Sequence, residues 1–188
     1  KSSAASTRTR QWPPPSTSRV STWSPAEMIL ETRYREKPSS SRANSPPVSF
    51  LGAMDSLKAH GIDYDPDEYV VSRFSLEGAY ESAMRFFEKH RDVTAVMTMS
   101  DMMAMGVTRA LHEMGLRVPQ DVSVSGFDGT VMARYYVPSI ASVRQPTTEI
   151  AKRSVELLCD MLEGGQAQHV KVEYSLVEGE SIGLVRVK

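Results

Sequence analysis

Cysteine is nearly absent: Cys159 is the single thiol in 188 residues. One thiol cannot close an internal disulfide, and such usage fits a reducing compartment. Long apolar runs are missing as well, since no stretch reaches the roughly 20 residues that a membrane-spanning helix needs. The opening "KSSAASTRTRQWPPP" lacks the apolar core of a secretory signal, so a cytoplasmic protein with no membrane partner is expected. Charge of one sign is not in excess. Lys and Arg number 22 against 23 Asp and Glu, and the net charge of -1 gives no bulk reason to expect a nucleic-acid or membrane surface. Neither GxGxxG nor GxxxxGK occurs, which removes the common phosphate-cradling loops. GxSxG is absent, and Ser125-Gly126 has the wrong flanks for a serine hydrolase. His60, His90, His112 and His169 lie far apart without metal-ligand spacing. With no nucleophile motif, metal set or cofactor loop, the expectation is a protein that is not an enzyme and carries no cofactor.

What is present divides into two unlike pieces. Residues 1–47 hold eight Lys or Arg and three Glu, a net +5, and the remainder is net -6. The first piece is rich in Ser, Pro and Arg and lacks periodicity, which predicts a disordered or otherwise low-complexity segment. Its charges are scattered and no aromatic pattern accompanies them, against a nucleic-acid arm. Only "AEMILETRYREK", Ala26 to Lys37, reads as a short helix.

From Leu51 the text is regular. Apolar spacing predicts helices in "LGAMDSLKAHGI", in "SLEGAYESAMRFFEKH" after a Ser75 cap, in "DMMAMGVTRALHEMG" and in "TEIAKRSVELLCDMLEGG". The runs "YVVS", "TAVMTMS" and "IASVRQP" read as strands, and "VPQDVSVSG" as a loop followed by a strand. "TVMARYYVP" reads as a helical turn, and "HVKVEYSLVEGESIGLV" as a terminal pair of β segments. Alternating strands and helices, with strands too apolar for a wet face, predict an α/β fold. Its parallel sheet is expected to be covered on both sides.

Ligands of such sheets bind beyond the carboxyl ends of the strands. Three loops meet there: Ser72 to Phe74, Ser100-Asp101 and Phe127-Asp128. Each candidate has a plainer reading. Asp101 at a helix start can cap the helix or contact a ligand. Asp128 can be a turn carboxylate or a ligand acceptor, and Phe74 can be packing or a stacking platform. Met97, Met99, Met102, Met103 and Met105 read as core, and Cys159 as a buried, inert thiol.

The string "SDMMAMGVTRALHEMGLRVPQDVSVSGFD", continued by "ARYYVPSIASVRQP", resembles the lactose/galactose repressor (LacI/GalR) family of bacterial transcription regulators. The resemblance covers about Leu51 to Leu184 and is close to the purine-repressor branch around "EMGLRVPQDVS". It implies a periplasmic-binding-protein-like core of two Rossmann-like lobes around a cleft for a small-molecule effector, a sugar or a purine or nucleoside. It also implies a homodimer, and a separate helix-turn-helix headpiece that reads operator DNA. By position, Asp128 matches the aspartate that accepts ligand hydrogen bonds, and Phe74 the stacking aromatic. Ser100 and Asp101 match an Asn-Asp pair whose Asn is Ser here. A carboxylate can accept two hydroxyls at once, which suits a polyol.

The departures are equally specific. The family's ligand-clamping Arg falls at Ser49. The headpiece and nearly all of the first lobe have no counterpart, so residues 48–188 are expected to be a partial effector domain, mostly the second lobe. The first strand of that lobe falls where the text is unlike the family, which exposes sheet edges. A periplasmic sugar-binding protein of a transporter is the alternative, disfavoured by the missing signal. Residues 7–22 also permit a shifted reading frame: moved by one base, Trp12-Pro13 becomes an Ala codon, and a run like the family's own segment can follow. The gene's nucleotide sequence tests this, and codons that cannot yield such a run exclude it.

Overall fold

The computed structural model describes residues 27–32, 48–62 and 69–184. In chain order the elements are β1 (Glu27–Thr32), α1 (Val48–Ala59), β2 (Tyr69–Ser72), α2 (Leu76–Phe87), β3 (Ala95–Thr98) and α3 (Asp101–Glu113). There follow β4 (Ser123–Asp128), α4 (Val131–Tyr135), β5 (Ala141–Arg144), α5 (Thr147–Leu162) and β6 (Ser175–Val177). They build one six-stranded sheet in the order β2-β1-β3-β4-β5-β6. Every neighbouring pair is parallel except β5 and β6. The α/β class read from the alternation is therefore the observed one. The reversal of strand order at β1 and β3 is a topological switch point, where open sheets of this kind form a ligand crevice.

The stretch expected as a helix within Ala26–Lys37 is instead the strand β1. Ile29 pairs with Tyr69 on one side and Met97 on the other. Local composition favoured a helix; insertion between two parallel strands satisfies its backbone on both sides and overrides that preference. This strand also occupies the central position that the second half of the chain lacks.

Helices α2 and α3 pack together over one face of the sheet. Their starts follow sequence rules: Ser75 Oγ accepts from Gly78 N–H at 3.0 Å, and Ser100 Oγ accepts from Met103 N–H at 3.2 Å. The cap of α3 is thus Ser100, and Asp101 is the first helical residue. Ala79, Ala83, Phe86 and Phe87 of α2 meet Met103, Ala104, Val107, Ala110 and Leu111 of α3 above Val96, Val122 and Val124. Burial of these side chains is the main stabilising term, at about 25 cal/mol per Å² of apolar area. Close approach of the two helices requires Gly106, where a Cβ would collide with the Leu76 carbonyl.

The opposite face differs from expectation. Among the described residues α5 has no buried residue and β3 alternates between buried and half-buried positions. Full two-sided cover is therefore not present among them. Cys159, expected to be buried, is exposed on α5 for the same reason. Of the methionines, Met103 and Met105 are core, Met102 is exposed, and Met97 and Met99 are half-buried. The terminal pair of β segments is a single described strand, β6. After it, Ser181 Oγ donates to Val124 O at 2.6 Å and accepts from Ala141 N–H at 2.9 Å, closing the sheet's near end.

Gly106→Ala is expected to lower stability by roughly 2–3 kcal/mol through overpacking at the α2–α3 contact. Urea unfolding followed by far-UV circular dichroism measures it.

Candidate functional site

The carboxyl ends of β2, β3 and β4 bring the three expected loops to one edge of the sheet. Phe74 follows β2, which lies beside β1 on one side of the switch point. Asp128 ends β4, beyond β3 on the other side. Three strand spacings separate them, about 14 Å at roughly 4.8 Å each. Phe74 is 45% exposed at this mouth, so its ring is open to a partner instead of being spent on packing.

Asp128 is held in an unusual way. Its φ is +121°, the one positive value at a non-glycine residue among those described. Such a conformation costs energy for an L-residue and persists where the surroundings impose it. Gly129 follows at φ +72°, and a Cβ there would lie 2.5 Å from Arg144 Cβ. The Gln145 Nε2 amide donates to Asp128 Oδ1 at 2.8 Å, and Gln145 N–H donates to the Asp128 carbonyl at 3.2 Å. Burial raises the Asp128 carboxyl above its ordinary value, and the charge of Asp101 pushes the same way. The Gln145 amide and the Asp101 backbone N–H pull it down. The result is a half-buried carboxylate at a strand end that accepts from the Gln145 amide and the Asp101 backbone N–H and keeps further lone pairs.

The Asp101 and Ser100 side chains, expected as ligand contacts, are both engaged by protein partners. Asp101 is 0% exposed. Its Oδ1 accepts from Ser142 Oγ at 2.5 Å and its Oδ2 from Thr130 N–H at 2.6 Å. Ser100 is buried and occupied as the α3 cap. Capping was the plainer reading of Asp101, yet the cap is Ser100, and the Asp101 carboxylate is bound by Thr130 and Ser142. Thr98 Oγ1 donates to the Ser100 and Ser125 carbonyls at 2.9 and 2.8 Å, tying the loop to β4. Ser49 falls in α1, and its side chain lies outside the described residues. Two participants were passed over in the sequence: Gln145, inside the quoted "VRQP", and Ser142. Nothing local marks either one, since their roles depend on β5 lying beside β4. No cluster of His, Cys, Asp or Glu among the described residues suits a metal ion, and no described helix is long and apolar enough to cross a membrane.

A mostly parallel sheet with polar loops at a switch point defines an effector-domain architecture of the periplasmic-binding-protein type. The family model for a periplasmic binding protein-like domain matches residues 33–182. That match begins upstream of Leu51, where the sequence resemblance starts. The HTH-type transcriptional regulator MalR of Clostridium butyricum is 37% identical over 131 residues, covering 69% of this chain and 39% of that protein. The HTH-type transcriptional repressor PurR of Klebsiella pneumoniae subsp. pneumoniae is 30% identical over 159 residues, 82% of this chain and 47% of the repressor. Among solved structures, the CelR–cellobiose complex is similar with a TM-score of 0.70 and 28% identity, covering 84% of this chain and 46% of that one. A LacI family regulator from Arthrobacter sp. FB24 in complex with lactose gives 0.69 and 27%, covering 85% and 58%. The chain belongs to the LacI/GalR family of transcriptional regulators. It spans less than half the length of these two curated relatives.

Asp128→Asn tests the electrostatics of the site. The folded pKa of Asp128 is raised, so its ionised form costs stability as pH rises from the ordinary carboxylate value through the raised one. Asn removes that cost and tolerates positive φ. The variant is expected to melt at a higher temperature than wild type at pH 7. The gain disappears below the ordinary carboxylate range, where Asp128 is protonated in both states; melting curves across pH measure this.

Proposed function

We propose that this chain is the effector-sensing part of a LacI/GalR-type regulator, and that its effector is a sugar. The observation that carries the reading is Asp128. It is a half-buried carboxylate at the end of β4, held at positive φ and keeping acceptor capacity beyond its protein partners. Vicinal hydroxyls donate in pairs to such a group. Phe74 supplies an apolar face on the other side of the switch point, suited to the C–H face of a sugar ring. The roughly 14 Å between the two strand ends leaves room for a ring with both side chains leaning inward. The sugars bound by the CelR and Arthrobacter regulators support the same class. Ser49 supplies no guanidinium where the family's Arg stands, so the acceptor side carries more of the recognition. Operator binding and dimerisation are properties we assign to the whole regulator, through a headpiece and a second subunit. Effector and operator binding are then reciprocally coupled.

A thermal-shift screen with cellobiose, lactose, maltose and hypoxanthine tests the reading. One of the sugars at about 100 times its Kd is expected to raise the melting temperature by roughly 5–10 °C. Asp128→Ala abolishes the shift, and Phe74→Ala reduces it several-fold in affinity. A response to hypoxanthine alone overturns the sugar assignment, and no response to any of the four overturns the effector reading.

A further inference from the structure

Asp101 is a fully buried carboxyl-bearing residue at the start of α3. A buried carboxylate is costly unless hydrogen bonds satisfy it, so its donors are held in place by that cost. The identity of the donors is informative. Thr130 N–H donates to Oδ2, and Ser142 Oγ donates to Oδ1. Ser142 Oγ in turn accepts the Gly129 N–H at 3.1 Å. Gly129 and Thr130 are the two residues that follow Asp128, so one carboxylate controls both amides of the turn. Gly126 completes the fit, since a Cβ there would collide with the Asp101 carboxylate and crowd Ile140. Helix α3, the turn after β4 and strand β5 thus converge on a single side chain.

We propose that Asp101 is the positioning residue of the effector site: through Ser142 and the Gly129 and Thr130 amides it locks the turn after β4 and aims the Asp128 carboxylate. The proposal rests on the reading of Asp128 as the effector's acceptor. The direct holds on Asp128 are the Gln145 amide and the Asp101 backbone N–H on its carboxylate and the Gln145 N–H on its carbonyl, and none of them bonds the two turn amides that follow it. Released from the clamp, the turn relaxes toward negative φ and the acceptor leaves the crevice. The charged and polar groups acting on Asp128 are Asp101 of α3 and Gln145 after β5; Arg144, its register partner on β5, is exposed.

Asp101→Ala deletes a buried ion with all its bonds and can abolish folding, so the test uses milder changes in the 188-residue chain. Asp101→Asn keeps an acceptor for Ser142 and sets an N–H against the Thr130 amide. Ser142→Ala removes the link to Gly129. Ser181→Ala is the control, because it breaks buried hydrogen bonds of the same sheet away from the turn. Calorimetry with cellobiose, lactose, maltose and hypoxanthine reads affinity. Amide hydrogen exchange and a 13C carboxyl titration of Asp128 read the ligand-free protein.

Asp101→Asn and Ser142→Ala are expected to lose about tenfold or more in affinity, the scale of one hydrogen bond to a charged group. Ser181→Ala stays within about twofold, because its hydrogen bonds, to Val124 and Ala141, do not include the turn amides or the Asp101 carboxylate. In both turn variants the Gly129 and Thr130 amides exchange faster while the rest of the sheet does not. The Asp128 midpoint falls in Asp101→Asn, which removes the neighbouring charge, and does not fall in Ser142→Ala, which keeps it. Equal loss of affinity in Ser181→Ala, or exchange that rises evenly over the whole chain, overturns the positioning role. Normal affinity in both turn variants overturns that role alone, whereas no binding by wild type overturns the effector reading.

Discussion

The Asp101 carboxylate is the constraint on which the mouth of this sheet depends. Water cannot reach it, so its charge is tolerable only where protein donors meet both oxygens. Those donors come from the turn after β4 and from β5, and both segments must arrive at the first residue of α3 together. The Thr98 hydroxyl adds a second tie, from the end of β3 to the Ser100 and Ser125 carbonyls. The strand ends are therefore joined by side-chain bonds where the sheet's own ladder runs out. Asp128 sits in the middle of this arrangement with a conformation that an isolated peptide would avoid.

The two faces of the sheet differ in physical character. One is dry, filled by α2 and α3 through small residues that let the helices approach. The other has no comparable cover among the described residues, and α5 presents Ile150, Val155, Leu158, Met161 and Leu162 outward. An apolar stripe at helical spacing encodes a demand for burial without naming what meets it. The chain spans less than half the length of the curated regulators it resembles. Cys159 is exposed on the same helix.

Most elements were legible in the sequence because their signals are local. Ser75 and Ser100 precede apolar periodic runs, Gly115 ends one, and short apolar runs bounded by polar or turn residues mark β2, β4 and β5. The failures have a common cause. "EMILET" holds residues that favour a helix in isolation, and only its place between β2 and β3 makes it a strand. Asp101 and Asp128 look alike as acids at the mouth of apolar strands, yet one is sealed and the other half-open. Gln145 and Ser142 carry no mark at all, because what they do requires β5 to lie beside β4.

The sequence by itself determined the α/β alternation, the Ser75 cap, the positions of the strand-end loops and the family to which the motif belongs. These depend on contacts between residues near one another in the chain. Only the tertiary structure decided which carboxylate is available and which is spent, and which apolar faces are covered. Accessibility and desolvation are set by segments far apart in sequence: Asp101 is sealed by Thr130 and Ser142, 29 and 41 positions away. No local pattern carries that information.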